Sequence, residues 1–423
     1  MALRLNLSTL GHLYYVLVLF LYMYSPVLVF LPYSPSKFMI LLVVAEAVLA
    51  NNFKFTKFLV KHALLYGALI AYTIFILLFH GTIDEQTAPL EQIATHLIEM
   101  LVFGSLYVSN LIRRGYKFDD FVNLILQVVF IQTTFIFIQF ISSEFRELMS
   151  IYLKTKFKPT GSFQWFRGIS MSSTRLYDFS LVQSVFLVLI GFRLQNTKIK
   201  FIHVVQIAFI ILSIICSGRT GFIGVAVFLA LVTLQSINNG TFWSTTKAIG
   251  YSVAVILIAY NLLAVVFPSV YTSINTNILP WAFEFYYEFI ETGELTTKSS
   301  AQLSDSHYYD LPDATLLHGD GMYFRIDGWY YGLTDAGYMR QALYFGVPGI
   351  IISIFIYLNA ALFAIQNTIK TYRWFIPVFC LLLFVGHYKG DVFSGSLILN
   401  RAFYVCLFAF TLPVIEVRRE KTS

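Results

Sequence analysis

The sequence predicts an all-α polytopic membrane protein with about twelve transmembrane helices. Three observations lead there. Of 423 residues, 57% are hydrophobic and 12% charged, about half the charge of a typical soluble domain. The apolar residues gather in runs approaching the roughly 20 residues a membrane span needs. Lys and Arg recur between alternate runs, as they do in cytoplasmic loops. The chain reads as one integral membrane domain, residues 1–423, with no internal repeat, low-complexity tract or cleavable signal pattern.

The expected spans lie near Leu13–Leu31, Phe38–Ala50, Ala63–Phe79, Ile93–Leu111, Phe121–Ile141 and Leu176–Phe192. Six more follow at Phe201–Cys216, Phe222–Leu234, Ala248–Phe267, Ala342–Ile365, Phe375–Gly386 and Leu397–Ile415. The loops after even-numbered spans carry Lys54, Lys57 and Lys61, then Arg113, Arg114 and Lys117, then Arg193, Lys198 and Lys200, then Lys247, then Lys370 and Arg373. Arg4 and the tail Arg418, Arg419 and Lys421 join that set, so both termini are expected in the cytoplasm. The net charge of +6 then reflects topology rather than nucleic-acid binding. Cys216, Cys380 and Cys406 all fall in apolar runs and read as small buried hydrophobes.

Two outward loops depart from the sparse pattern. The loop at 142–175 holds six basic residues against two acidic ones. The loop at 268–340 holds ten acidic residues, three basic ones and fifteen aromatics. Its segment "ILPWAFEFYYEFIETG" reads as a short amphipathic helix on the membrane surface.

Several residues are candidates for chemistry. In "SGRTGFIG", Arg219 follows the seventh span, with Gly218 and Gly221 letting backbone come close and Thr220 placed to cap the next helix. That helix start and the guanidinium together suit a phosphate; an interfacial snorkelling arginine is the plainer alternative. Arg167 and Arg175 flank the sixth span on the same outward side. In the large loop, His318, Asp320, Arg325, Asp335 and Arg340 lie among glycines, with Trp329 and Tyr338 interleaved. Rings against sugar CH faces and carboxylates against hydroxyls suit a carbohydrate. The eleventh loop adds His387, Lys389 and Asp391, and Arg401 lies inside the twelfth span. An intramembrane charge marks either a site or a salt bridge within the bundle, and Glu46 and Glu99 pose the same choice. No Walker A, HExxH, outward DxD or GxSxG pattern occurs, so neither cofactor nor metal is expected.

The many spans, "SGRTGFIG", the late outward loop and "GDG…TDAGYMRQALYFGVPG" resemble the O-antigen polymerase (Wzy-type) family, which is related to the O-antigen ligases. The resemblance extends over the architecture of nearly the whole chain. It implies a bacterial inner-membrane glycosyltransferase with a fold like that of the GT-C enzymes and a periplasmic active site. It also implies undecaprenyl-diphosphate-linked oligosaccharides as donor and acceptor, and a chain-length regulator protein as partner. Arginines of the two large periplasmic loops are typical functional residues of that family. Arg175 and Arg340 occupy the corresponding loops here, without the family's spaced arginine–glycine motif.

Transfer from a lipid diphosphate builds charge on the leaving diphosphate, which Arg219, Arg175, Arg340 and Arg167 would stabilise. Asp335, His318 and Asp320 are candidates for the base that takes the acceptor's proton. Arg325, Tyr338, Trp329, His387, Lys389 and Arg401 would hold sugar or diphosphate. A ligase would use the same donor, but the large loop lacks a His-Asn pair. A flippase or exporter would show repeated halves and short outer loops.

Overall fold

The computed structural model describes residues 7–51, 56–154, 166, 169–174, 176–195, 197, 200–240, 254, 257–258, 260–294 and 296–420. Helices dominate. In chain order they are α1 (Leu7–Met23), α2 (Pro35–Leu49), α3 (Lys57–His80) and α4 (Ala88–Arg113). Then come α5 (Phe118–Ile141), α6 (Ser143–Tyr152), α7 (Tyr177–Leu194), α8 (Phe201–Ser217) and α9 (Phe222–Asn238). The large loop supplies α10 (Pro268–Ser273), α11 (Leu279–Ala282), α12 (Glu284–Thr292), α13 (Lys298–Gln302) and α14 (Asp313–His318). The chain ends with α15 (Gly337–Asn367), α16 (Phe375–Lys389) and α17 (Leu397–Glu420). Among the described residues no β-strand forms, and the isolated bridges are Leu28 with Leu153 and Phe324 with Tyr330.

Eleven of the twelve expected spans fall on one of these helices; the ninth lies mostly outside the described residues. Seven helices among the described residues are long and apolar enough to cross a membrane. The difference has a simple cause. The helices at the first, second, seventh and eleventh spans, α1, α2, α8 and α16, have only 17, 15, 17 and 15 residues.

The chain divides into two compact units. The first comprises Met1–Val27, Leu31–Val128 and Gln302–Ser423. Its central element is α17, whose most apolar window is 83% buried. Such a helix is apolar around its circumference and must be enclosed by others. Helices α1, α4, α15 and α16 pack on it. Part of α4, Met100–Tyr107, is π-helical. Gly104 within it lies so near Phe408 that a Cβ there would come 2.7 Å from the ring.

The second unit comprises Leu28–Phe30 and Val129–Ala301. Here α7 is central, with 83% of its window buried. Ser180 and Ser184 lie one turn apart on α7, against Gly221 and Gly224. A Cβ on either glycine would overlap the facing serine, so small residues set the close approach of α7 and α9. The expected surface helix forms as two pieces, α11 and α12, interrupted at Phe283 (φ −106°, ψ 25°). Phe285, Tyr286, Tyr287, Phe289 and Ile290 of α12 are all exposed, and Gly293 (φ 80°) ends the helix in the left-handed region.

Candidate functional site: a buried arginine on a broken helix

Within the first unit, α15 is not continuous. Gly346 takes φ 69°, ψ −176°, a region open essentially to glycine alone. A Cβ there would come 2.9 Å from the backbone nitrogens of His318 and Gly319. Pro348 follows and cannot continue the hydrogen-bond ladder. Two carbonyls near the break find other partners: Asp320 N–H donates to Leu343 O at 2.6 Å, and the Tyr72 hydroxyl donates to Phe345 O at 2.7 Å. The break leaves a short, mostly buried half-helix, Gly337–Phe345, which carries Arg340.

Arg340 is 7% exposed. Its guanidinium carbon lies 4.1 Å from the Tyr323 ring centre and 3.6 Å from that of Tyr330. Among the described residues the guanidinium forms no ion pair, and its Nε has no hydrogen-bond partner. An unpaired buried cation is costly and is usually found holding an anion.

The neighbouring acid is committed elsewhere. Asp391, 2% exposed, accepts from the Tyr323 hydroxyl at 2.8 Å and from the Ser394 hydroxyl at 2.5 Å through Oδ2. Its Oδ1 accepts from Ser394 N–H at 3.1 Å and from Gln341 Nε2 at 3.4 Å. Burial alone would raise this carboxyl. His387 when its ring is protonated, together with Arg340 and the Ser394 hydrogen bonds, outweighs burial and holds it below the ordinary carboxylate range. The 3.8 Å between His387 Nδ1 and Asp391 Oδ1 is not a hydrogen bond. Nδ1 accepts from Val392 N–H at 3.0 Å, which puts the imidazole proton on Nε2. Three buried polar atoms in this cluster lack partners: Arg340 Nε, Gln341 Oε1 and His387 Nε2. Each costs about 1–3 kcal/mol if left so, which favours a polar ligand over a dry core.

Tyr330 also faces a cavity of ≈ 580 Å³ lined by His307, Phe324, Trp329, Leu333, Thr334 and Asp335. A hairpin forms one wall: Arg325 N–H donates to Trp329 O at 2.8 Å, Tyr331 N–H donates to Tyr323 O at 3.1 Å, and Gly328 turns the tip at φ 81°. Asp335 keeps a side chain 60% exposed, and its Oδ1 lies 3.3 Å from His307 Nδ1. Aromatic faces, a carboxylate and an imidazole are what a sugar-binding wall needs.

The other sequence candidates divide. Tyr338 packs edge-to-face with His387, ring centres 4.5 Å apart, and donates to Phe384 O at 3.0 Å, which places it beside the cluster. Trp329 and Asp335 line the cavity; His318 and Asp320 do not. His318 packs against Phe79 and His80 and makes a 2.9 Å contact to Gly319 O. Asp320 accepts from the Thr315 hydroxyl at 2.7 Å and so holds its own turn. Arg325 pairs with Asp327 at 3.1 Å at the hairpin tip. Lys389 ends α16, partly buried. Arg401 is not offered to a ligand: its Nε and Nη2 bond Glu99 Oε1 at 2.8 and 2.7 Å, with both side chains buried. Glu46 is also satisfied, accepting from the Tyr14 hydroxyl at 2.9 Å.

In the second unit, Arg219 bonds the Glu284 carboxylate, reaches Trp281 O at 3.4 Å and lies 5.3 Å over the Trp281 ring. Its charge is therefore neutralised by α12. Thr220 does not cap α9; its hydroxyl is buried without a partner. Ser180 closes the turn instead, donating to Gly218 O and accepting from Gly221 N–H at 2.9 Å. Arg167 and Arg175 lie outside the described residues.

Sequence reasoning named Arg340 but missed its setting. Tyr330, Gln341, Ser394 and His307 carry no motif, and only folding brings them round Asp391 or the cavity. The glycine–proline pair of "FGVPG" was the one local signal for a helix break. No known protein family, curated protein or solved structure matches this chain.

Proposed function

We propose that this chain is a membrane glycosyltransferase that polymerises lipid-diphosphate-linked oligosaccharide repeat units, as the resemblance to O-antigen polymerases implies. The observation that carries the reading is Arg340: a buried guanidinium, clamped by two tyrosines, near the committed Asp391 but bonded to no carboxylate among the described residues. A diphosphate supplies what it lacks. As the bond between the anomeric carbon and the diphosphate breaks, the diphosphate leaves with the electron pair, and a preorganised guanidinium stabilises the growing charge. The acceptor hydroxyl oxygen forms the new glycosidic bond and gives its proton to Asp335, which His307 flanks. Trp329 and Tyr330 stack on the sugars along the cavity wall. The seven apolar helices support membrane insertion, and the alternating loop charges support an outward-facing site.

The test is a deletion strain complemented with Arg340→Ala at matched protein level, its surface polysaccharide separated on a gel. Single repeat units on the lipid A core, without a ladder, support the polymerase. Bare core with polymer left on the carrier lipid would assign a ligase. A normal ladder removes Arg340 from the site and the reading with it.

A further inference from the structure

Helix α4 carries a buried polar stripe that the Arg340 cluster does not use. Gln92, His96 and Glu99 follow one another at i, i+4 and i+7, so they share one face. Gln92 is partly exposed, whereas His96 is 0% and Glu99 2% exposed. The stripe thus runs from the surface of the first unit into its interior. Gln92 Oε1, both ring nitrogens of His96 and Glu99 Oε2 are buried with no hydrogen-bond partner. The hydroxyl of Tyr22, on α1 beside Glu99 and Arg401, is in the same state. The Phe393 carbonyl faces His96 but does not meet hydrogen-bond geometry.

In folded proteins about nine in ten buried polar atoms are paired, so five orphans grouped together call for a ligand. Its chemistry follows by elimination. The Glu99–Arg401 pair is neutral as a whole, so an anion would meet Glu99 and a cation would meet Arg401. A metal would find one imidazole and a carboxylate already bonded to arginine, too few donors for a site. Neutral imidazole needs one donor and one acceptor, the glutamine and carboxylate oxygens need donors, and a tyrosine hydroxyl serves as either. Water meets all of these at once. We infer that Gln92, His96, Glu99 and Tyr22 line an internal water site, entered beside Gln92 and ending at the Glu99–Arg401 pair. Water there hydrates an ion pair that the apolar interior would otherwise leave bare, and the site stands independently of the proposed reaction.

Cysteine accessibility tests this on the full-length protein with Cys216, Cys380 and Cys406 replaced by alanine. Single variants Gln92→Cys and His96→Cys are treated with a small neutral hydrophilic methanethiosulfonate, and Ile93→Cys and Phe403→Cys serve as buried apolar references. Thiolate forms only where water reaches, so modification at 92 and 96 should run about tenfold or more faster than at 93 and 403. Should His96→Cys fail to fold, Tyr22→Cys reads the inner end from a different helix, with the same outcome expected. Rates at 96 and 22 equal to those at 93 and 403 would show a dry stripe and overturn the inference.

Discussion

The Glu284 carboxylate holds the Arg219 guanidinium, and the Trp281 ring lies beneath it at 5.3 Å. The pair ties the turn before α9 to α12, and both side chains are only 16% and 21% exposed. Two roles for Arg219 then give different outcomes. If it serves to anchor α12, Arg219→Ala and Glu284→Ala should cost a similar stability, about 1 kcal/mol, and the double variant should be little worse than either. If it serves a diphosphate, Arg219→Ala should abolish long chains while Glu284→Ala keeps or lengthens them. Thermal unfolding and polysaccharide ladders of the three variants separate the two; the packing seen here favours the anchor.

Gly346→Ala should be far more damaging than Gly328→Ala. Both glycines have positive φ, 69° and 81°. At Gly328 a Cβ would enter open space, so the cost is backbone strain of about 1 kcal/mol. At Gly346 the same strain is joined by a 2.9 Å approach to the backbone of His318 and Gly319, which no rotamer relieves. The expectation is about 3 kcal/mol or more, or loss of folded protein. Thermal unfolding of the purified variants in detergent gives the comparison, and equal midpoints would mean that α15 does not need its break.

The helices were legible because apolar runs and their flanking charges are local signals. Eleven expected spans land on helices for that reason. Span lengths were less so: α16 stops after 15 residues because "KGDVFSG" turns the chain back, and composition alone does not mark that stop. Site residues were legible one at a time. Arg340 and Asp335 could be named as charges in an aromatic loop. That Arg340 is unpaired and Arg401 paired could not, because their partners, or lack of them, come from residues hundreds of positions away, as with Glu99. Thr220 misled for the opposite reason. It fits the local capping pattern, yet Ser180 of α7 reaches the turn first.

The Glu99–Arg401 pair predicts a recognisable pattern of rescue. Both side chains are almost wholly buried, at 3% and 4% exposure. Arg401→Met leaves a buried carboxylate without its partner, and such losses run to about 3–5 kcal/mol. Glu99→Leu should cost a comparable amount. The double variant Glu99→Leu with Arg401→Met restores an apolar match and should recover most of the loss. Unfolding midpoints of the four proteins give the coupling. Were Arg401→Met to keep its midpoint and lose only polymerisation, the arginine would belong to the substrate after all.

Asp391 gives the fold an acid sensitivity with a definite sign. Its carboxyl is held below the ordinary range in the folded protein and returns to that range on unfolding. A depressed folded pKa means that the ionised form stabilises the fold above the unfolded value. That contribution fades as pH falls through the ordinary carboxylate range toward the lower folded value. Thermal midpoints of the wild type should therefore fall as the pH drops into and below the ordinary carboxylate range. Asp391→Asn should begin lower at neutral pH, because the Tyr323 and Ser394 hydroxyls lose a charged acceptor and Arg340 loses a nearby negative charge. Its midpoint should then change less with pH, so the two curves converge in acid. Parallel curves would place the acid sensitivity elsewhere. Arg340→Met provides the complementary check: without the guanidinium, Asp391 should titrate higher, closer to its unfolded value, so the fall of the midpoint in acid should become shallower.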